Sequence, residues 1–175
     1  SDGEVVALDA VRGFVIPSPD EPVRRYYALE ARREARRRDL LKPFLDSKGC
    51  AADGRRIEVA ANASTAEEAE TAFANGAEGI GLFRTEILFM DREAPPTEEE
   101  QFAEYARVMA AANGRPVIFR TLDIGGDKAV AYLDLPAEDN PFLGYRAIRF
   151  YADRAAIVRT QMRALLRAAA LGNAR

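Results

Sequence analysis

Histidine is absent from this chain of 175 residues. No histidine base, phosphohistidine or histidine metal ligand can come from it, and a mechanism that needs one must borrow it from elsewhere. Cysteine occurs once, at Cys50. That count excludes an internal disulfide and fits a reducing, cytoplasmic setting. Cys50 lies in a loop and reads as inert. No apolar run approaches membrane-spanning length, and no signal peptide opens the chain. The formal net charge of −3 argues against a nucleic-acid partner. The arginine-rich stretch at 32–38 does not reverse that reading. Glu34 interrupts it and Asp39 follows it, Glu34 and Arg38 are spaced as an i,i+4 pair, and no stacking aromatics are interleaved. It reads as a solvated helix face.

What is present is a composition ordinary for a globular protein, long enough for one sizeable core or one core and part of a second. Residues 4–16 alternate around a turn and read as two short strands, ended by Pro17 and Pro19. Two strands cannot bury a face alone, so they read as the tail of another domain. Residues 21–48 predict one helix, with Pro22 in its first turn and Pro43 as a kink or stop. Its apolar residues gather at the ends (Val23, Tyr26, Tyr27, Leu29; Leu40, Leu41, Phe44, Leu45) around a charged middle, the pattern of a rigid linker.

From residue 55 the pattern becomes strand–helix alternation. A strand is predicted at 56–62, then a helix to Asn75 opened by a capping box at Ser64–Glu67, then a strand ending at Arg84. A second capping box at Thr97–Glu100 predicts a helix over 98–112, followed by a strand ending at Arg120. A loop rich in Asp, Gly and Pro covers 123–142. A short helix over 144–151 and a longer one capped by Asp153 follow, the latter with Val158, Met162, Leu165, Leu166 and Ala169 on one face. Successive βα units imply parallel strands with right-handed crossovers, hence an α/β fold.

Two apolar strand runs each end in Arg-Thr shortly before an acid: Gly79-Ile80-Gly81-Leu82-Phe83-Arg84-Thr85-Glu86, and Pro116-Val117-Ile118-Phe119-Arg120-Thr121-Leu122-Asp123. Parallel α/β folds place ligands at the carboxyl ends of strands. Two guanidiniums there would grip a small, highly charged anion, because the arginine fork binds carboxylate or phosphate in a bidentate way. The alternative is that each arginine pairs with Glu86, Asp123 or another local acid and only stabilises loops. The paired glycines of Asp123-Ile124-Gly125-Gly126-Asp127-Lys128 could turn backbone amides toward an anion, or form a plain turn. Arg146 is expected in the first turn of the short helix, where the helix dipole does not favour a cation. It reads either as a functional residue or as a surface arginine.

Three blocks resemble enzyme I of the bacterial sugar phosphotransferase system, the phosphoenolpyruvate–protein phosphotransferase family. They are residues 76–86 with 89–92 and 96–102, then Arg120 to Lys128, then Asn140-Pro141-Phe142-Leu143-Gly144-Tyr145-Arg146. The resemblance implies a partial (β/α)8 TIM barrel. Residues 1–20 would be the last strands of a swivelling phosphohistidine domain, 21–54 a linker helix and loop, and 55–175 the first three βα units of a barrel that binds phosphoenolpyruvate (PEP). It implies that Arg84 and Arg120 contact the phosphate and carboxylate of PEP, with Arg146 and Lys128 close by. It implies Mg²⁺ as cofactor, with ligands on later strands. The phosphoacceptor histidine and the proton-donor cysteine would also lie outside this chain, so the residues here would form an excised piece that is inactive alone. The partners implied are PEP, a histidine-containing phosphocarrier protein and a second copy of the barrel domain. A pyruvate phosphate dikinase or PEP synthase-like enzyme, and a non-catalytic dimerisation module, are the alternatives.

Overall fold

The computed structural model describes residues 3–125, 130–136, 138–140 and 142–175. The chain divides into two compact units, Ser1–Asp46 and Ser47–Arg175.

In the first unit, β1 (Val6–Asp9) and β2 (Phe14–Pro17) form an antiparallel hairpin. Helix α1 (Glu21–Leu41) follows. The Asp20 carboxylate accepts from the Val23 N–H at 3.1 Å and caps it, with proline in the first turn. The helix gives way to a short 3₁₀ turn, Lys42–Phe44, so it stops well before residue 48. Proline at 43 lacks the N–H that a continuing helix needs. No residue of α1 is buried. Glu34 binds Arg37 rather than the predicted Arg38, because the Arg37 fork takes both carboxylate oxygens at 2.9 Å.

The second unit is built from β3 (Ala60–Ala63), α2 (Ala66–Ala74), β4 (Gly79–Arg84), α3 (Glu98–Ala112), β5 (Val117–Arg120), α4 (Ile148–Tyr151) and α5 (Ala155–Ala169). The strands form a parallel sheet in the order β3-β4-β5. Residues 173–175 return alongside β5 in the same direction. The Val117 N–H donates to the Asn173 carbonyl at 3.0 Å and the Arg175 N–H to the Val117 carbonyl at 2.8 Å. The outer edge of β5 is therefore paired rather than bare.

Strand β4 carries one residue more than both neighbours. Ala61 and Asn62 of β3 face Ile80 and Leu82, while Val117 and Phe119 of β5 face Ile80 and Phe83. Gly81 takes up the extra length, and a Cβ there would come within 3.2 Å of the Ala60 Cβ.

Strand β3 begins later than predicted, because residues 56–57 fold back instead of pairing with β4. Arg56 bridges to Cys50, and the Ile57 N–H donates to the Gly49 carbonyl at 3.0 Å. Glu78 pins this turn by accepting from the Gly49 N–H at 2.9 Å and from the Arg56 guanidinium. The turn leaves no room at Gly49, where a Cβ would sit 2.3 Å from the Ile57 carbonyl oxygen. We expect Gly49→Ala to cost about 1–3 kcal/mol in denaturant unfolding, the usual penalty of forcing atoms into a packed position. An unchanged midpoint would refute the close approach.

The main core lies between the sheet and the helices. Phe83, Tyr105 and Phe119 form its centre, with ring centroids 5.2–6.3 Å apart. Burying each such ring contributes roughly 2–3 kcal/mol. Helix α2 presents Ala66 and Ala69, both fully buried, and so packs close. Helix α5 buries Gln161, Ala164 and Ala168, while Met162 and Leu166 are exposed. The buried face is thus turned from the predicted one, toward the small residues that let α5 approach α3. A second apolar cluster of Phe89, Leu122, Ile124, Val130, Leu133 and Phe150 supports the loops beyond the strand ends.

Of the predicted helix caps one holds, one shifts by a residue and one does not form. Thr65 caps α2 by accepting from the Glu68 N–H, one residue later than predicted. Thr97 and Glu100 form the predicted capping box of α3. The Thr97 N–H donates to the Glu100 carboxylate at 2.7 Å, and Arg92 also binds it. Together they draw its pKa down to about 2. A depressed carboxylate contributes stability above its unfolded pKa and loses it as pH falls through the folded value. Glu100→Gln is therefore expected to lower the melting temperature at neutral pH. That difference should shrink between about pH 4.5 and about pH 2; a difference constant over this range would refute the assignment. Asp153 does not cap α5. It accepts from the Tyr145 hydroxyl, and the residue ahead of the helix, Arg154, makes no side-chain cap.

Candidate anion-binding site

Arg84 and Arg120 close β4 and β5 at their carboxyl ends, and their Cα atoms are direct partners across the parallel ladder. The bulge that absorbs the extra residue of β4 keeps them level. A ladder continued from Ile80 and Val117 without that bulge would set Arg84 opposite Thr121. Arg84 is exposed, and among the described residues it makes no ion pair or side-chain hydrogen bond.

Arg120 is held from below. After β4 the chain makes a 3₁₀ turn, Thr85–Phe89, which turns Glu86 inward, fully buried. The Arg120 guanidinium donates to the Glu86 carboxylate, and a second arm lies 3.5 Å from Asp123. Its Nε is buried with no hydrogen-bond partner among the described residues. The predicted alternative, pairing with local acids, thus describes Arg120 in part, and among the described residues it does not describe Arg84.

Arg146 joins the same group. Its Nε donates to an Asp123 oxygen at 3.0 Å, Nη2 lies 2.9 Å from the same oxygen, and the Phe142 ring lies 5.4 Å from its guanidinium carbon. Arg146 is not in the first turn of a helix as predicted; it precedes α4 by two residues. Ala147 between them adopts φ +47° and ψ −125°, a positive-φ conformation outside the left-handed helical well that costs an alanine roughly 1–3 kcal/mol. Gly125 makes this approach possible. Its φ is +141°, and a Cβ there would lie 2.7 Å from the Arg146 Cβ. Gly126 and Lys128, the remaining predicted members of this loop, lie outside the described residues.

Among the described residues the group therefore holds three guanidiniums and two carboxylates, leaving one positive charge over. Asp123 and Glu86 orient arginines. Among the described residues no cluster of three or more Asp, Glu, Cys or His is placed to hold a metal ion. The two carboxylates here do not fit a Mg²⁺ site.

Beneath the strand ends lies a buried polar chain that sequence reasoning missed. Gln161 of α5 accepts from the Leu122 N–H at 2.8 Å and donates to the Thr85 hydroxyl at 3.0 Å and to the Tyr105 hydroxyl at 3.4 Å. Thr85 donates to the Arg120 carbonyl at 2.7 Å. Tyr105 donates to Gln101, which donates to the Pro96 carbonyl. Burial pushes the Tyr105 hydroxyl up to about 12. A glutamine on the otherwise apolar stripe of α5 was the available signal. On the outer side, Tyr151 shares hydrogen bonds of 2.8 Å with the Thr121 hydroxyl and the Leu122 carbonyl. Burial raises its pKa as well.

A parallel sheet with a cluster of guanidiniums at its carboxyl end is the arrangement of an anion-handling α/β protein. Residues 38–175 match the PEP-utilising enzyme, PEP-binding domain family, and the chain belongs to it. It is 49% identical over 172 residues to multiphosphoryl transfer protein 1 of Escherichia coli (strain K12), covering 98% of this chain and 21% of that protein. It is also 49% identical over 174 residues to the phosphoenolpyruvate-protein phosphotransferase of Geobacillus stearothermophilus, covering 98% of this chain and 30% of that one. The phosphotransferase of Haemophilus influenzae (strain ATCC 51907 / DSM 11121 / KW20 / Rd) is 49% identical over 171 residues, again with 30% of its length covered. The chain thus spans about a fifth to a third of the length of these relatives. Among the described residues no helix is long and apolar enough to cross a membrane.

Proposed function

We propose that this chain is the PEP-binding part of a phosphoenolpyruvate–protein phosphotransferase. In that reading residues 55–175 are the first βα units of a (β/α)8 barrel. Residues 21–54 are a linker helix and loop, and residues 1–20 close a swivelling phosphohistidine domain. The charged, unburied α1 supports the linker assignment. The parallel order β3-β4-β5, continued by residues 173–175, supports the barrel.

The observation that carries the proposal is the level pairing of Arg84 with Arg120 at the carboxyl end of the sheet. PEP holds a phosphate and a carboxylate on a three-carbon frame, so two adjacent forks match its two anionic ends. Arg120 is preset by Glu86 and Asp123, and Arg84 is open to receive the ligand. Fixed cations of this kind stabilise phosphoryl transfer by charge neutralisation and by holding the substrate in line. The chain has no histidine, so an acceptor histidine would be supplied outside these residues and would pass phosphoryl to a phosphocarrier protein. Mg²⁺ would need ligands other than Glu86 and Asp123. The setting proposed is the cytoplasm.

Calorimetric titration of PEP into the full-length protein, with formation of phosphohistidine as second readout, tests this reading. Saturable binding that Arg84→Ala abolishes supports it, and binding indifferent to that change overturns it.

A second reading is pairing of two copies through the loop face. Exposed Phe142, Leu143 and Ile148 beside the arginines favour it. A concentration-dependent dimer in sedimentation, weakened by Leu143→Asp, is its expected signature.

A further inference from the structure

We propose that Gln161 is a positioning residue of the arginine clamp, locking the end of β4 to the end of β5 so that the guanidiniums of Arg84 and Arg120 present one fixed spacing to a small dianionic or trianionic ligand. The inference rests on the PEP reading for the identity of that ligand.

The geometry is specific. Arg84 is followed directly by Thr85, whose hydroxyl donates to the backbone carbonyl of Arg120 itself at 2.7 Å. That bond is a cross-strand tie placed where the ladder ends. A threonine hydroxyl can rotate, so it holds one geometry only if something fixes its lone pairs. The Gln161 amide does so by donating to Thr85 at 3.0 Å. The same side chain accepts from the Leu122 N–H at 2.8 Å, two residues after Arg120. One amide thus grips both chains immediately beyond the two arginines.

Gln161 is fully buried, as are Thr85, Tyr105 and Gln101. In this setting each unmade hydrogen bond is costly, so the chain has one satisfied arrangement rather than several. Tyr105 and Gln101 extend it to the Pro96 carbonyl and remove the remaining freedom of the Gln161 NH₂ group. Packing alone would not need this device. The neighbouring buried positions of α5 are Ala164 and Ala168, and an apolar side chain would fill the space of Gln161 without a polar group to satisfy. The polar choice makes sense at a strand end that must not slide, because a displacement of about 1 Å in a binding group can cost about 100-fold.

The test uses the full-length protein with PEP as the probe, and two variants. Gln161→Leu keeps an approximate volume and removes every bond. Gln161→Glu keeps the shape. When protonated, the carboxyl introduced by Gln161→Glu still accepts from Leu122 and donates to Thr85, but ionised it has no donor. Burial raises such a carboxyl's pKa, so its ionisation falls within an accessible range. Tyr105 is the titratable group in contact with this position and stays neutral there. Glu86 and Arg120, on the strand ends beside Thr85, remain ion-paired.

Binding is measured by calorimetry on folded material, from about pH 5.5 to about pH 8.5, as the ratio of variant to wild-type Kd. Taking the ratio cancels the titration of PEP. We expect Gln161→Leu to weaken binding by about 10- to 100-fold. The Gln161→Glu ratio should rise with pH, from a few-fold to about 10-fold or more. Amide exchange at Leu122 should quicken in Gln161→Leu, which has no acceptor for it. A purely structural role would lower the melting temperature without a pH-dependent Kd ratio. Variants that bind within about twofold of wild type at every pH would overturn the inference. If Gln161→Leu does not fold, a flat Gln161→Glu ratio overturns it. Failure of the wild type itself to bind PEP would instead overturn the ligand assignment and this inference with it.

Discussion

Alanine at Arg84 or Arg120 is expected to cut phosphohistidine formation from PEP by more than about 100-fold in the full-length protein, the loss associated with one preorganised charge donor. The two variants should differ in everything else. Arg84 is exposed and has no ion pair among the described residues. Arg84→Ala should therefore leave unfolding unchanged within about 0.5 kcal/mol. Arg120→Ala removes the guanidinium that binds buried Glu86 and should lower stability as well as activity. Arg84→Lys keeps the charge but not the fork and should recover little of the loss. Near-normal phosphohistidine in either alanine variant would refute the clamp. So would an Arg84→Ala protein whose activity loss tracks a loss of folded protein.

The second large effect belongs to Glu86. Its side chain is wholly buried, while that of Arg120 remains 32% exposed. Breaking a buried ion pair by removing one partner costs about 3–5 kcal/mol. Water reaches Arg120, so Glu86→Ala should fall at the lower end, near 3 kcal/mol. Glu86→Gln keeps the shape and one acceptor and should cost about 1–3 kcal/mol. Urea unfolding measures both as a shift of midpoint at unchanged slope. A shift worth less than about 1 kcal/mol for the alanine variant would show that the pair is not holding the turn. Because Glu86 orients the arginine and does not face the ligand in this reading, Glu86→Gln should raise KM for PEP more than it lowers kcat.

Much of this was legible in the sequence, for identifiable reasons. Thr97 and Glu100 announce their helix because a capping box is local chemistry. Arg84 and Arg120 stand out as a candidate site because an apolar strand run tolerates arginine only where it opens to solvent. The start of β3 was not legible, because Ile57 and Val59 have strand-like side chains. What turns residues 56–57 away is a contact with Gly49 and Glu78, distant in sequence. The position of Arg146 was hidden for a similar reason. Gly144 to Tyr151 reads as continuous helix until Asp123 draws Arg146 aside and Ala147 takes a positive φ. Gln161 escaped because the periodicity of α5 was read from its large apolar residues, of which Leu166 faces solvent. The helix turns its small residues inward instead.

The additional residue of β4 has a consequence for how this sequence can change. Between Ile80 and Phe83 the strand spends three steps where β5 spends two. A bulge at Gly81 absorbs the surplus step, so Phe83 still meets Phe119 and Arg84 still meets Arg120. Swapping Leu82 for another apolar residue would leave that pairing intact. Deleting Gly81 would leave an even ladder with the same partners. Removing a second residue from the stretch would instead draw Arg84 back by about 3.3 Å, opposite Phe119. In a library of deletions, survivors should include loss of Gly81 alone and exclude variants with fewer than two residues between Ile80 and Arg84.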